Sequence, residues 1–147
     1  YNSFLGDKNG MEENIVPGKI IYLHVAFPHE DKYRDKYFVV VGIGESPLLL
    51  KINTSDQQTE MGKKFNEFQF KIKKSVYTFL DHDSLVDCGT VWILLKTDDV
   101  VKQLTEDPKR MKGAILEDHK NEIIRLTTKS KSISPKHKRI IEELRKK

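Results

Sequence analysis

Seven consecutive residues constrain this chain most. Tyr37–Ile43 reads Tyr-Phe-Val-Val-Val-Gly-Ile, an uncharged run rich in β-branched side chains. Such a run is the signature of a strand buried on both of its faces. A turn at Gly44–Pro47 and a further strand over Leu48–Asn53 make the two a hairpin. Upstream, Pro17-Gly18 breaks the chain. Ile21, Leu23, Val25 and Phe27 then alternate with Ile20, Tyr22, His24 and Ala26, a period of two that predicts a first strand over residues 19–27. Between the two strands, Pro28–Asp35 is crowded with ionisable side chains and has no apolar period, so it reads as a solvent-exposed loop.

Further along, Thr54–Glu67 is polar and receives no assignment. Phe68, Phe70 and Ile72 alternate with Gln69, Lys71 and Lys73, which predicts an amphipathic strand with a basic outer face. Two more short strands fit Ser84–Cys88 and Val91–Leu95, the second carrying Trp92, the only tryptophan. From Asp98, the spacing of Val100, Val101 and Leu104 suits a short helix that Asp107-Pro108 ends. Ala114–Leu116 and Glu122–Leu126 are apolar islands that fit helix and strand alike. At the end, Ser134 is a good N-cap, Pro135 takes the first helical position, and Ile140, Ile141 and Leu144 form a narrow apolar stripe. The sum is a mainly β, α+β chain with about six short strands and a C-terminal helix, read as a small barrel or a strongly bent sheet.

A length of 147 residues suits one core. Residues 1–14 read as a disordered or appended N-terminus, with Met11 a plausible native start, and residues 15–147 as a single domain. No apolar run approaches the roughly 20 residues that span a bilayer. Cys88 is the only cysteine, so no internal disulfide can form, and no signal-peptide pattern stands near the start; the expected compartment is the cytoplasm. The formal charge of +4 is unevenly placed, with eight Lys/Arg against two Glu after Thr127. Such a terminus can attract a polyanion, although a solvated Lys-rich last helix is the commoner explanation of such a run.

In this order the pieces resemble the MazF/PemK family of toxin endoribonucleases. The resemblance starts with Gly18-Lys19-Ile20-Ile21-Tyr22, a charged loop, and Tyr37-Phe38-Val39-Val40-Val41. It continues in Leu80-Asp81-His82-Asp83-Ser84-Leu85-Val86-Asp87-Cys88 followed by Thr90-Val91-Trp92-Ile93-Leu94, and in Arg125-Leu126 with Ser134–Leu144 as a closing strand and helix. It implies an SH3-like barrel of the MazF/PemK/CcdB group, a homodimer, and an antitoxin partner whose disordered tail covers the RNA groove. The implied activity is cleavage of single-stranded RNA through a 2′,3′-cyclic phosphate, with no metal and no cofactor. Where the family carries an Arg-Pro pair before the Val-rich strand, this chain has Lys36-Tyr37. Arg34 lies two residues earlier, and Thr54 or Ser55 stands where the family's hydroxyl is expected.

Metal-free RNA cleavage requires a base for the 2′-hydroxyl proton, an acid for the leaving oxygen, and a cation for the phosphorane charge. Arg34 suits the last role, because a guanidinium forks onto two phosphate oxygens; otherwise it is a surface arginine paired with Asp31 or Asp35. Thr54 and Ser55 suit phosphate hydrogen bonding, or are ordinary turn residues. Lys36, Lys71 and Lys73 are candidate phosphate contacts. His29, in the loop with Arg34, is a candidate substrate contact; with His82 it would supply base and acid in a two-histidine mechanism, although a lone loop histidine is usually just exposed. His24, on the outer face of the first strand, reads first as a cross-strand hydrogen-bond partner, with contact to a partner or substrate as the alternative. Tyr33 is the aromatic residue placed to stack on a base. Asp81-His82-Asp83 alternates in direction along an extended chain and cannot converge on one ion. Cys88, between apolar strands, reads as a buried structural thiol. Two other readings use the same barrel: a non-catalytic module that binds nucleic acid or a protein tail, and a gyrase-targeting toxin that binds through its terminal helix.

Overall fold

The computed structural model describes residues 15–28, 32–53 and 68–146. Thr54 and Ser55, both candidate site residues, and His29 lie outside the described residues, as does the unassigned stretch 56–67. Six strands form one antiparallel sheet: β1 (Lys19–Ala26), β2 (Tyr33–Ile43), β3 (Pro47–Asn53), β4 (Gln69–Ile72), β5 (Ser84–Asp87) and β6 (Met111–Ala114), in the order β4-β5-β3-β2-β1-β6. Among the described residues, three α-helices accompany it: α1 (Thr97–Glu106), α2 (Glu117–Lys129) and α3 (Pro135–Glu142).

Entry into β1 is set by chemistry local to Pro17-Gly18. Lys19 N–H donates to Val16 C=O at 3.1 Å across the pair, and Gly18 holds a φ of 97°, the positive value that the third residue of a type II turn needs. β2 then runs through the middle of the sheet, between β1 and β3. Its alternate residues enter two separate cores. Val39 and Val41 join Ile20, Leu48, Leu50 and Ile52 beneath α2 and α3, which contribute Ile123, Ile124, Leu126 and Ile141. Phe38 and Val40 join Ile21, Leu23, Val25 and Leu49 beneath α1, which contributes Val100, Val101 and Leu104. The unbroken apolar character of β2 is therefore what a strand between two layers requires. Val41 is the extra residue where the register slips between Val40 and Gly42.

Three sequence expectations are corrected. Tyr33–Asp35 is strand rather than loop, its residues paired with Ala26, Val25 and His24. This end of β2 carries no apolar period because its side chains face solvent on both sides. Val91–Leu95 is not a strand: Trp92 makes a single bridge to Leu49, with N–H to O=C distances of 2.8 and 3.0 Å. The sixth strand is instead β6. Finally, Arg125-Leu126 lies in a helix rather than a closing strand, because Ile123, Ile124 and Thr127 repeat at helical spacing and bury one face of α2. Among the described residues, no helix is long and apolar enough to cross a membrane.

Candidate functional site

Strand parity sorts the candidate residues by face. Arg34 and Lys36 alternate with Phe38 and Val40 and so lie on the α1 side of the sheet, whereas Tyr33, Asp35 and Tyr37 lie on the other. Lys71 shares the face of Arg34 and Lys36. It pairs with Leu85, Leu85 pairs with Asn53, and Asn53 follows Ile52, the partner of Tyr37, so one row across the sheet runs Lys71, Leu85, Asn53, Lys36. At about 4.8 Å per strand, Lys71 and Lys36 stand roughly 14 Å apart along that row. Lys51 belongs to the same face, its ammonium 5.3 Å from the Phe27 ring centre and 5.4 Å from that of Trp92. Lys71 is half tethered, 4.0 Å from the Asp83 carboxylate. Lys73 falls beyond β4, where its carbonyl accepts from Val76 and Tyr77 N–H and starts a turn.

The opposite face of the β1–β2 ribbon holds a denser arrangement. Its centre is His24, which faces Asp35 directly across the ladder. His24 Nδ1 lies 3.3 Å from Asp35 Oδ1, the cross-strand hydrogen bond that its outer-face position predicts. The same carboxylate oxygen accepts from Arg110 Nη1 at 3.0 Å. Arg110 Nη1 also reaches Tyr22 C=O at 3.1 Å. The guanidinium is brought there by the short 3-10 turn Pro108–Arg110, which Asp107 starts by accepting from Lys109 N–H.

The backbone of His24 is fixed as well. β6 pairs with β1 only over Lys19–Ile21, which leaves the outer edge of β1 beyond that point without a strand partner among the described residues. Gln103 of α1 substitutes for one: its Oε1 accepts from His24 N–H at 2.8 Å, and its Nε2 donates to His24 C=O at 2.9 Å. A side-chain amide thus closes an edge that would otherwise present open backbone groups. The imidazole in turn stacks on Tyr33, with ring centres 5.4 Å apart and planes at 20°. Both rings remain well exposed, His24 with 52% of its side chain accessible.

A second run of aromatic contacts starts at Tyr22, two residues before His24 on β1. Tyr22 and Tyr37 meet at 4.4 Å, Tyr37 and Phe79 at 5.2 Å, and Tyr77 contacts both Phe79 and His119. Arg110 and Lys112 each bring a cation to 5.6 Å from the Tyr22 ring centre. Burial, and after it the nearby Asp35 carboxylate, raises the Tyr22 hydroxyl above the usual phenol range, so it stays a proton-bearing donor at neutral pH.

Other candidates take structural roles. Cys88 is buried, its thiol reaches only Val86 C=O at 3.7 Å, and burial pushes its pKa up. Asp83 accepts from Lys74 N–H at 2.9 Å, and Ser84 donates to His82 C=O at 3.0 Å, so the Asp81–Ser84 stretch is a locally bonded turn. Trp92 meets Phe27 edge to face at 4.9 Å and packs against the core beneath α1. Among the described residues, no group of His, Cys, Asp and Glu is placed to hold a metal ion. Tyr33 is the one predicted substrate contact found beside His24; Arg34, Lys36 and Lys71 share the other face. Sequence reasoning missed Gln103, Arg110 and Lys112, whose separation from His24 along the chain left no local signal.

Compared with known protein families, with curated proteins and with solved structures, the chain matches none.

Proposed function

We propose that the protein binds single-stranded RNA and cuts it without a metal ion, the activity implied by the resemblance to MazF/PemK toxins, on an SH3-like barrel. In this reading it works in the cytoplasm as a homodimer, and an antitoxin tail blocks its RNA-binding surface. The observation that supports it is the gathering of Arg34, Lys36, Lys51 and Lys71 on one sheet face by strand register. A row of cations spaced across several strands follows a phosphate backbone without demanding a base sequence. Aromatic rings lie within reach of the same strands.

A second reading, a non-catalytic nucleic-acid-binding module, draws on one feature of that face. Its strand residues supply cations but no histidine, since the strands' only imidazole, His24, projects from the other side. The deciding experiment incubates the protein with a long single-stranded RNA in EDTA and maps the ends. Discrete cuts with 2′,3′-cyclic phosphate ends that survive chelation support the nuclease. Binding without cuts moves the assignment to the module, and absence of binding overturns both. In either case Arg34→Ala and Lys36→Ala should weaken binding and each reduce the slope of log affinity against log salt by about one.

A further inference from the structure

We infer that His24 is the proton-transfer residue of RNA cleavage, with Asp35 and Gln103 as positioning residues and with Arg110 and Lys112 supplying positive charge for the reacting phosphate; this rests on the reading that the protein cuts RNA. Three residues hold one histidine: Asp35 at Nδ1, Gln103 at both backbone groups, and the Tyr33 ring against the imidazole face. Engagement of Nδ1 by a carboxylate sets the tautomer, so that Nε2 is the nitrogen presented to a substrate. Asp35 is itself held by Arg110, so the orienting carboxylate cannot swing away.

The residues balance the reaction. His24 Nε2 takes the proton of the ribose 2′-hydroxyl as that oxygen bonds to the adjacent phosphorus. The bond from phosphorus to the 5′-oxygen breaks, its electron pair goes to that oxygen, and a proton returns to it from the imidazolium or from water. The products are a 2′,3′-cyclic phosphate and a 5′-hydroxyl. Arg110 and Lys112, both over the ring of Tyr22 two residues before His24 on β1, are the cations assigned to the charge that accumulates on the phosphorane. The charged or titratable groups facing His24 are Asp35 and Tyr33 from β2 and Arg110 from the turn before β6. Cleavage at His24 is thereby assigned to the face of the sheet opposite Arg34 and Lys36, with Arg110 and Lys112 as the cations on its own side.

The test measures single-turnover cleavage and RNA affinity in EDTA for the wild type, His24→Gln, His24→Ala and Asp35→Asn, across pH. The expected result is a loss of about 10²- to 10⁴-fold in cleavage rate for His24→Gln. Affinity should be retained, the acidic limb of the pH–rate profile should vanish, and added imidazole should partly restore His24→Ala. Asp35→Asn should lower the rate less and change the tautomer of His24 seen by ¹⁵N NMR. Cleavage by His24→Gln at the wild-type rate would overturn this assignment and leave the nuclease standing. A wild type that binds RNA but never cuts it would overturn the nuclease, and His24 with it. Because His24 is half exposed, circular dichroism of the variants should match the wild type, and the imidazole rescue separates lost chemistry from lost fold.

Discussion

Gly42 shows how one residue decides whether a helix can dock. A Cβ at this position would lie 2.5 Å from Ile140 Cγ2 and 3.3 Å from Leu48 Cδ1, so α3 rests on bare backbone there. The backbone itself tolerates alanine, since Gly42 is not among the residues with positive φ. Gly42→Ala should therefore cost about 1–3 kcal/mol through overpacking alone. In an Ile140→Ala background the same change should become neutral or stabilising. The clash is then gone, while the loss of unfolded-state freedom, worth about 0.4–1 kcal/mol, remains. Urea unfolding of the four species in a double-mutant cycle measures that coupling. A Gly42→Ala cost that is the same in both backgrounds would show that α3 does not rest on this glycine. Nothing in the run Tyr37–Ile43 signals the contact, because Ile140 lies about a hundred residues later.

At the scale of elements, legibility followed the range of the forces that make each one. β1, the β2–β3 hairpin and α3 could be read because their determinants are local. In α3, Ser134 Oγ accepts from His137 N–H at 3.2 Å, Pro135 occupies the first turn, and Ile141 and Leu144 are buried at the predicted spacing. Helix α2 could not be read. Its N-cap, Leu116, offers no side-chain oxygen; instead Leu116 N–H donates at 3.0 Å to the Tyr77 hydroxyl, which also meets His119 Nδ1 at 2.7 Å. A start fixed from a residue 39 positions away leaves no capping signature in the sequence. These two kinds of support predict different sensitivities in α3. Ile141→Ala should lose about 2–5 kcal/mol by opening the core beneath α2 and α3. Ser134→Ala should lose only about 1 kcal/mol with the cap. Denaturant titrations followed by circular dichroism rank the two, and a larger loss for Ser134 would place α3 outside the core.

At the scale of the molecule, the candidate site is an assembly of distant parts: His24 meets Gln103 across 79 positions, and Arg110 meets Asp35 across 75. A single sequence offers the residue types but not the pairing, which is why the reading settled on Arg34, next in sequence to the loop, and passed over Arg110. The same long-range packing gives the whole protein a predictable response to alkali. Burial raises the pKa of Tyr22, Tyr37, Tyr77 and Cys88, and it is the largest cause in each case. The folded state thus keeps protons that the unfolded chain releases, beginning with the thiol near pH 8.5 and followed by the phenols near pH 10. When the folded state binds more protons than the unfolded one, stability falls as pH rises, by up to about 1.4 kcal/mol per pH unit for each such group. Below about pH 8 these groups are protonated in both states and contribute no slope. Between about pH 8.5 and 9.5 the phenols of the unfolded chain still hold most of their protons, so the decline in this window belongs mainly to Cys88. Urea unfolding through that window should show stability falling in the wild type and a flatter profile in Cys88→Ala, whatever constant offset the lost packing adds. Equal slopes in the two proteins would mean that the folded core admits the thiolate, and that the sheet around Val86 and Cys88 opens far more readily than its burial implies.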